Sequence, residues 1–285
     1  MASATQITLH RSFLQGLPSL SQGPAGSSRA STSTGTSTEA TDPPKVWIEY
    51  PVANYITKAD AELEVYRQRL QAYLPVLERP FQIFTEADVV RAATLYILHP
   101  INEALNARHQ NRIHCRSEST QISRGRCDVL WQFWNSDEGD WTVIAVLELK
   151  NRGVLQWSDI EGALRDEKTR EDGLDEALSK RGRTLFLSNM VPISKQAAHY
   201  AWATGTHHVA LFDWDSLFMF RYESVDFETK SIGDWAYGPW VKEDEATTFR
   251  KALLGFLLEA CEAQCSETAE HNGSIERMVQ LVRPS

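Results

Sequence analysis

The sequence predicts an α/β fold in which helices flank a mixed central sheet, with an αβββαβ core and an added C-terminal helix. Three observations predict it. Apolar residues keep helical spacing over positions 58–105 and again over 243–264, whereas positions 112–150 switch to β-branched and aromatic runs. The turn-like NSDEGD at 135–140 splits the last two of those runs into a hairpin. Two more strand-like runs, His208–Trp214 and Leu217–Tyr222, follow a helical stretch and are joined by a tight link.

Of residues 1–44, 24 are Ser, Thr, Gly or Pro, and Ser27–Thr41 lacks any large apolar side chain. Such a stretch buries too little surface to offset its ordering entropy, so 1–44 reads as a disordered tail. The remaining 45–285 reads as one domain, with its core at about 80–222. A first helix spans 58–78, with Leu63, Tyr66, Leu70, Tyr73 and Leu77 at helical spacing. A second opens at Thr85, where Asp88 three residues on makes an approximate capping box, and it continues past Pro100. Strands then occupy Arg112–Arg116, Cys127–Trp134 and Trp141–Lys150. The charged stretch 157–182 reads as helix interrupted by Gly173, Thr184–Ser188 as a possible strand, and 194–203 as a short helix ended by Gly205. Phe249, Leu253, Phe256, Leu257 and Ala260 line one side of the closing helix, 243–264.

Composition narrows the function classes. The 38 acidic and 29 basic residues give a net charge of −9, which excludes a global basic footprint for nucleic acid but not a local one. No apolar run approaches the ~20 residues of a membrane span. The four cysteines form no CxxC pair, and Cys261, Cys265 and His271 lack a fourth ligand for a structural zinc. A reducing, intracellular location follows as the expectation, nuclear or cytoplasmic. The acid-poor, Ser-rich start carries only two Arg and supports mitochondrial import weakly.

The hairpin carries the chemistry. With the turn centred on Glu138, antiparallel partners sum to 276, which sets Asp128 opposite Glu148 on one face. Lys150, two residues on, shares that face. Glu148 and Lys150 sit in VIAVLELK, apolar on both faces as interior strands are. Two carboxylates at such a place repel and are poorly solvated, so something must compensate. Lys150 supplies one positive charge, and Mg²⁺ or Mn²⁺ suits the oxygen ligands. The plainer alternative is a structural Asp–Lys–Glu cluster, and a one-residue slip of register would separate the acids.

GRCD (125–128), a 19-residue interval and ELK (148–150) resemble the motif of the PD-(D/E)XK nuclease superfamily, whose restriction-endonuclease-like core has this αβββαβ order. Gln196 and Tyr200 add a QxxxY pair at i, i+4, as in the RecB-like exonuclease branch. The resemblance covers about residues 80–222; Cys127 replaces the motif's Pro, and the interval from Lys150 to Gln196 is long. It implies Asp128, Glu148 and the Leu149 carbonyl as ligands of Mg²⁺ or Mn²⁺, and Lys150 as the group that orients the attacking water. Gln196 and Tyr200 would hold substrate phosphate or support the site. The first-helix acid is Glu86 or Glu103, with Glu86 preferred because it shares a face with Val90, Ala93 and Ile97.

The function expected is therefore metal-dependent hydrolysis of phosphodiester bonds, with DNA as the substrate. Five Arg between positions 108 and 126, Arg116, Arg124 and Arg126 among them, lead into Asp128 and suit phosphate contacts. Among the nine Trp, Trp157 and Trp202 are candidates for stacking on bases. The alternatives are an idle fold of this type that binds nucleic acid or protein, and an effector or toxin domain.

Overall fold

A computed structural model describes residues 7–22, 41–75, 81–119, 126–135 and 139–281, with the backbone alone at 22, 118–119 and 266–281. Nine strands form one mixed sheet: β1 Val46–Glu49, β2 Ile113–Ser119, β3 Cys127–Asn135, β4 Asp140–Leu149, β5 Leu164–Arg165, β6 His208–Phe212, β7 Leu217–Tyr222, β8 Trp235–Gly238 and β9 Trp240–Val241. Their order is β2-β3-β4-β6-β7-β8-β1-β5, and β9 pairs with β7. The pairs β4/β6, β8/β1 and β1/β5 are parallel; the others are antiparallel.

The helices are α1 Leu9–Ser12, α2 Val52–Val65, α3 Glu86–Ala93, α4 His99–His109, α5 Arg170–Ser179, α6 Met190–Thr204 and α7 Phe249–Leu281. Helices α1–α4 and α7 pack one face of the sheet through Val129, Trp131, Leu147 and Leu149. The other face, with Leu130, Val146, Leu211 and Phe218, lies under α5, α6 and the loops around 154–163 and 185–186. From α3 to β6 the order is α3, α4, β2, β3, β4, β5, α5, α6, β6, so the expected αβββαβ order is followed only with α4 taken as the continuation of α3 and β5 and α5 as an insertion before α6. Thr85 and Asp88 form the expected capping box. The helix continues toward Pro100 through a π-helical turn at Thr94–Leu98, which restarts the hydrogen-bond ladder so that Pro100 falls in the first turn of α4.

The reading of 1–44 as a disordered tail is corrected for 7–22 and for 41–44, where Thr41 is buried and the Pro44 carbonyl accepts from Thr184; positions 1–6 and 23–40 lie outside the described residues. Leu9 and Phe13 are buried in the main core. Around them the backbone is tied down: Leu9 N–H donates to Ala72 at 2.8 Å and Leu74 N–H to Ile7 at 2.9 Å. Arg250, 1% exposed, is the anchor. Its Nη1 donates to the carbonyls of Ser12 (2.7 Å) and Gln15 (2.9 Å), and its Nε donates to Tyr96. Averaging composition over 44 residues hid Leu9, Phe13 and Leu17, spaced i, i+4, i+8 on one side of a turn.

The same contacts shorten the first helix. Its α-helical part ends at Val65 rather than 78 because residues 72–74 pair with the N-terminal segment, and 76–78 lie outside the described residues. Between 157 and 182 only Arg170–Ser179 is α-helix, with Gly173 inside it rather than interrupting it. Thr184–Ser188 makes no strand; Leu185 N–H has a single ladder-like bond to Lys45. The closing helix begins at Phe249 because Asp244 caps a turn at Ala246 and Thr247 and Glu243 receives the Phe249 N–H. Strands β1, β8 and β9 extend the sheet outside 80–222.

Replacing Arg250 by Met removes a guanidinium that serves three backbone carbonyls, that of Ser12 buried and those of Gln15 and Tyr96 part-buried. Each orphaned group costs about 1–3 kcal/mol, so R250M is expected to lower unfolding free energy by about 3 kcal/mol or more in urea denaturation. Deleting residues 1–22 should destabilise by a comparable amount, since the buried arginine would then face fewer acceptors.

Candidate active site

The hairpin of β3 and β4 sets the site. Near its turn, partners sum to 275, as in Asn135↔Asp140 and Phe133↔Thr142. Toward the site they sum to 276, as in Trp131↔Ala145 and Val129↔Leu147. The change is a β-bulge at Ile144, the extra residue between Val143 and Ala145. The expected turn centre was therefore half a residue off, and the bulge restores the expected register where it matters. Continued to 128, that register puts Asp128 beside Glu148, and the Leu149 N–H donates to Asp128 Oδ2 at 2.8 Å.

Around Glu148 the expected residues converge. Glu148 and Lys150 are 4% and 5% exposed. Lys150 Nζ donates to Glu148 Oε1 at 2.7 Å and to Gln196 Oε1 at 2.9 Å. Gln196 Nε2 donates to Glu148 Oε1 (2.8 Å) and to the Tyr200 hydroxyl oxygen (2.6 Å). Tyr200 in turn donates to the Arg126 carbonyl at 2.8 Å. Helix α6 makes this possible: Gln196 and Tyr200 lie one turn apart on the face it turns to the sheet. Every polar atom of the Gln196 amide is thus engaged within the site. Gln196 and Tyr200 are occupied with Glu148, Lys150 and the Arg126 carbonyl.

One oxygen is left over. Glu148 Oε2 is buried and has no hydrogen-bond partner among the described residues. Glu86, at the start of α3, is the third carboxylate. Burial raises its pKa above the ordinary carboxylate value, and the Glu148 charge adds to the rise while Lys150 opposes it. Of the two candidates, Glu86 lies near Glu148 and Lys150, whereas Glu103 is exposed on α4. Asp128 is pushed up to about 7, first by burial and then by the Glu148 charge, against the stabilising Leu149 N–H. Burial alone would lower the Lys150 pKa, but the Glu148 charge and hydrogen bond, with Glu86 and Asp128, raise it and keep the ammonium charged. Burial raises the Tyr200 pKa, so its hydroxyl stays a neutral donor.

Three acids therefore face one cation in a place that disfavours charge. Among the described residues no three His, Cys, Asp or Glu side chains are grouped so that they could hold a metal ion, Asp128, Glu148 and Glu86 included. Mg²⁺ does not require three such side chains, because it keeps water and takes one or two carboxylates plus substrate phosphate. Asp128, the unpartnered Glu148 Oε2 and the Leu149 carbonyl fit that donor set. In a strand the N–H and C=O of one residue point the same way, so the Leu149 carbonyl faces the side from which its N–H meets Asp128.

No protein-family model, curated protein or solved structure matches the chain. Function must therefore be argued from the site itself.

The candidate phosphate-contacting arginines divide. Arg116 is exposed on β2 and pairs with Leu130, so it projects on the Glu148 face. Arg126 is exposed and lends its carbonyl to Tyr200. Arg124 lies outside the described residues. Trp202 is 7% exposed and packs against His199, which removes it as a base-stacking candidate, whereas Trp157 is 40% exposed. Sequence reasoning missed Asp213, at the end of β6. It receives the Leu155, Asp215 and Ser216 N–H groups and so fastens the loop after Lys150.

The pH dependence of stability has a definite sign. Asp128 holds its proton more tightly folded, at about 7, than in the unfolded chain. This group therefore takes stability away as pH rises from about 4 to 7, and all of the loss is present above 7. Without divalent cation, D128N should melt higher than wild type at pH 8, with the difference vanishing near pH 4. Millimolar Mg²⁺ or Mn²⁺ should raise the wild-type Tm at pH 8 and leave D128N nearly unmoved, as read by scanning calorimetry.

Proposed function

We propose that the protein is a metal-dependent nuclease that hydrolyses phosphodiester bonds of DNA. The observation that carries the reading is the buried Glu148 carboxylate. Lys150 and Gln196 hold one of its oxygens, the other has no partner, and Asp128 and Glu86 stand beside it. An unsatisfied carboxylate oxygen at such a place is destabilising and calls for an explanation; among the described residues Glu62 Oε1 is also unpartnered, but only at Glu148 do two further carboxylates and a buried lysine stand beside it.

Each residue has a role in this reading. Asp128, Glu148 and the Leu149 carbonyl hold Mg²⁺ or Mn²⁺. The chemistry supplied by such an ion is polarisation of the scissile phosphate and acidification of the attacking water. Lys150 stays protonated, orients that water and stabilises negative charge developing on the phosphate oxygens. Gln196 fixes the Lys150 ammonium and the Glu148 carboxylate relative to each other, and Tyr200 fixes Gln196. Glu86 adds a carboxylate whose raised pKa suits it to exchange a proton with water at the site. Arg116 and Arg126, with Arg124, contact phosphates flanking the bond.

One observation favours a second reading, that of an idle fold kept for binding. Glu148 Oε1, Lys150 and Gln196 already satisfy one another, as a purely structural ion pair would. Metal binding separates the two readings.

Linear and circular DNA with Mg²⁺ or Mn²⁺ should be degraded by wild type. E148Q and K150A should each lose at least about 100-fold in rate, the scale for removing a transition-state stabilising group. Q196A, a positioning change, should lose less and shift the pH–rate profile, because Lys150 then keeps only its carboxylate partner. Equal degradation by all four proteins, or none by any, would sink the nuclease reading.

A further inference from the structure

On the face that carries Glu148, the sheet register draws a line to a second site. Glu148 is paired with Leu211, Leu211 with Phe218, and Phe218 with Trp240. Residues paired directly across strands point to the same side. Trp240 therefore sits on the Glu148 face, three strands along, about 14 Å away at the usual strand spacing.

There the indoles of Trp47, Trp157 and Trp240 surround an open pocket of about 180 Å³, with Glu49 at its wall. Trp157 meets Trp240 at 5.9 Å and 54°, and Trp47 at 6.4 Å and 74°, so the rings form a corner rather than a stack. Trp47 and Trp240 both rest on Phe218, at 4.5 and 6.0 Å, which fixes the corner to the sheet. Trp157 is the exposed member, held out over the pocket instead of being folded into the core. Lys242 Nζ lies 5.5 Å from the Trp240 ring.

The chain itself joins the two places. The loop leaving Lys150 is pinned by Leu155 N–H on Asp213 and by the buried Val154 and Leu155, and then delivers Trp157 to the pocket. Leu211 and Phe218 between the two places are buried, so a polymer seated at Glu148 would reach the aromatic corner over the loop 151–157 at the strand ends.

We propose that the pocket of Trp47, Trp157 and Trp240 receives an unpaired nucleobase of a single-stranded segment flanking the scissile bond. This assignment rests on the nuclease reading and names the substrate form, a junction between duplex and single strand or a single-stranded end. Aromatic faces accept any base, because every base has a π-face, and a duplex keeps its bases stacked out of reach. Glu49 offers an acceptor to the exocyclic amine of cytosine, a contact that thymine cannot make. Lys242 supplies a positive charge for the adjoining phosphate.

The test uses the full chain with E148Q, so that DNA is bound with Mg²⁺ but not cut. Fluorescence anisotropy compares a duplex with an oligo(dC) tail against a blunt duplex of the same length. E148Q should prefer the tailed DNA, and E148Q/W157A should lose that preference by about ten-fold, the scale of one lost base stack. E148Q/W157F, which keeps a ring, should retain most of it. An abasic tail should bind E148Q as weakly as the intact tail binds E148Q/W157A. If the wild type cuts DNA but tail preference is absent or insensitive to Trp157, the base subsite is overturned and the nuclease reading stands. If no DNA is cut by wild type and none is bound by E148Q, both fall together.

Discussion

Ile144 is one residue more than the hairpin of β3 and β4 needs, and the site depends on it. Without the bulge, partners summing to 275 at the turn would keep that sum to the end of the hairpin, and Asp128 would oppose Leu147. The two acids would then point to opposite faces of the sheet. With it, Asp128 and Glu148 share a face, and the Leu149 N–H is free to meet Asp128 instead of a strand partner. The extra residue does not dangle: Ile144 is buried, and its carbonyl accepts from Thr206 Oγ1 at 2.6 Å just ahead of β6. A local irregularity in one strand thus fixes both the face of the chemistry and the approach of the next parallel strand.

Given that register, the rest of the site follows from charge. Burying Glu148 between β6 and α6 requires donors, and Lys150 and Gln196 provide them at one oxygen only. Replacing such a cluster by apolar side chains is often at least as stable. Retaining three acids around one ammonium makes the metal-free fold less stable above neutral pH. Such a loss of stability is what a site shaped for a cation and a phosphate would show.

Much of this was legible in the sequence. The strand runs, the interval from Asp128 to Glu148 and the i, i+4 pair Gln196/Tyr200 are local patterns, and local periodicity survives in one dimension. That Glu86 turns inward while Glu103 faces out was also legible, because a helix face can be read from residue spacing. Other features leave no local trace. VWIE and WAYG are short, and pair in parallel across about 190 positions, so neither announces a strand alone. The N-terminal Leu9 and Phe13 were masked by the Ser- and Thr-rich stretch behind them. The unpartnered Glu148 oxygen and the corner of three tryptophans exist only after folding.

The net charge of −9 then takes a specific meaning. Several basic side chains are already committed within the protein: Arg108 to Glu62, Arg152 to Asp215, Arg165 to Glu176 and Arg221 to Glu259. With 38 acidic side chains against 29 basic ones, the net field opposes a phosphate backbone, so counterion release can supply only a small part of any affinity for DNA. Binding would have to come from short-range contacts, namely a cation shared between carboxylates and phosphate, and base stacking at the aromatic corner. Both demand an accessible strand at a defined spacing. On the nuclease reading proposed above, an acidic surface with such contacts would disfavour indiscriminate duplex coating and favour ends and junctions, where unpaired bases are present.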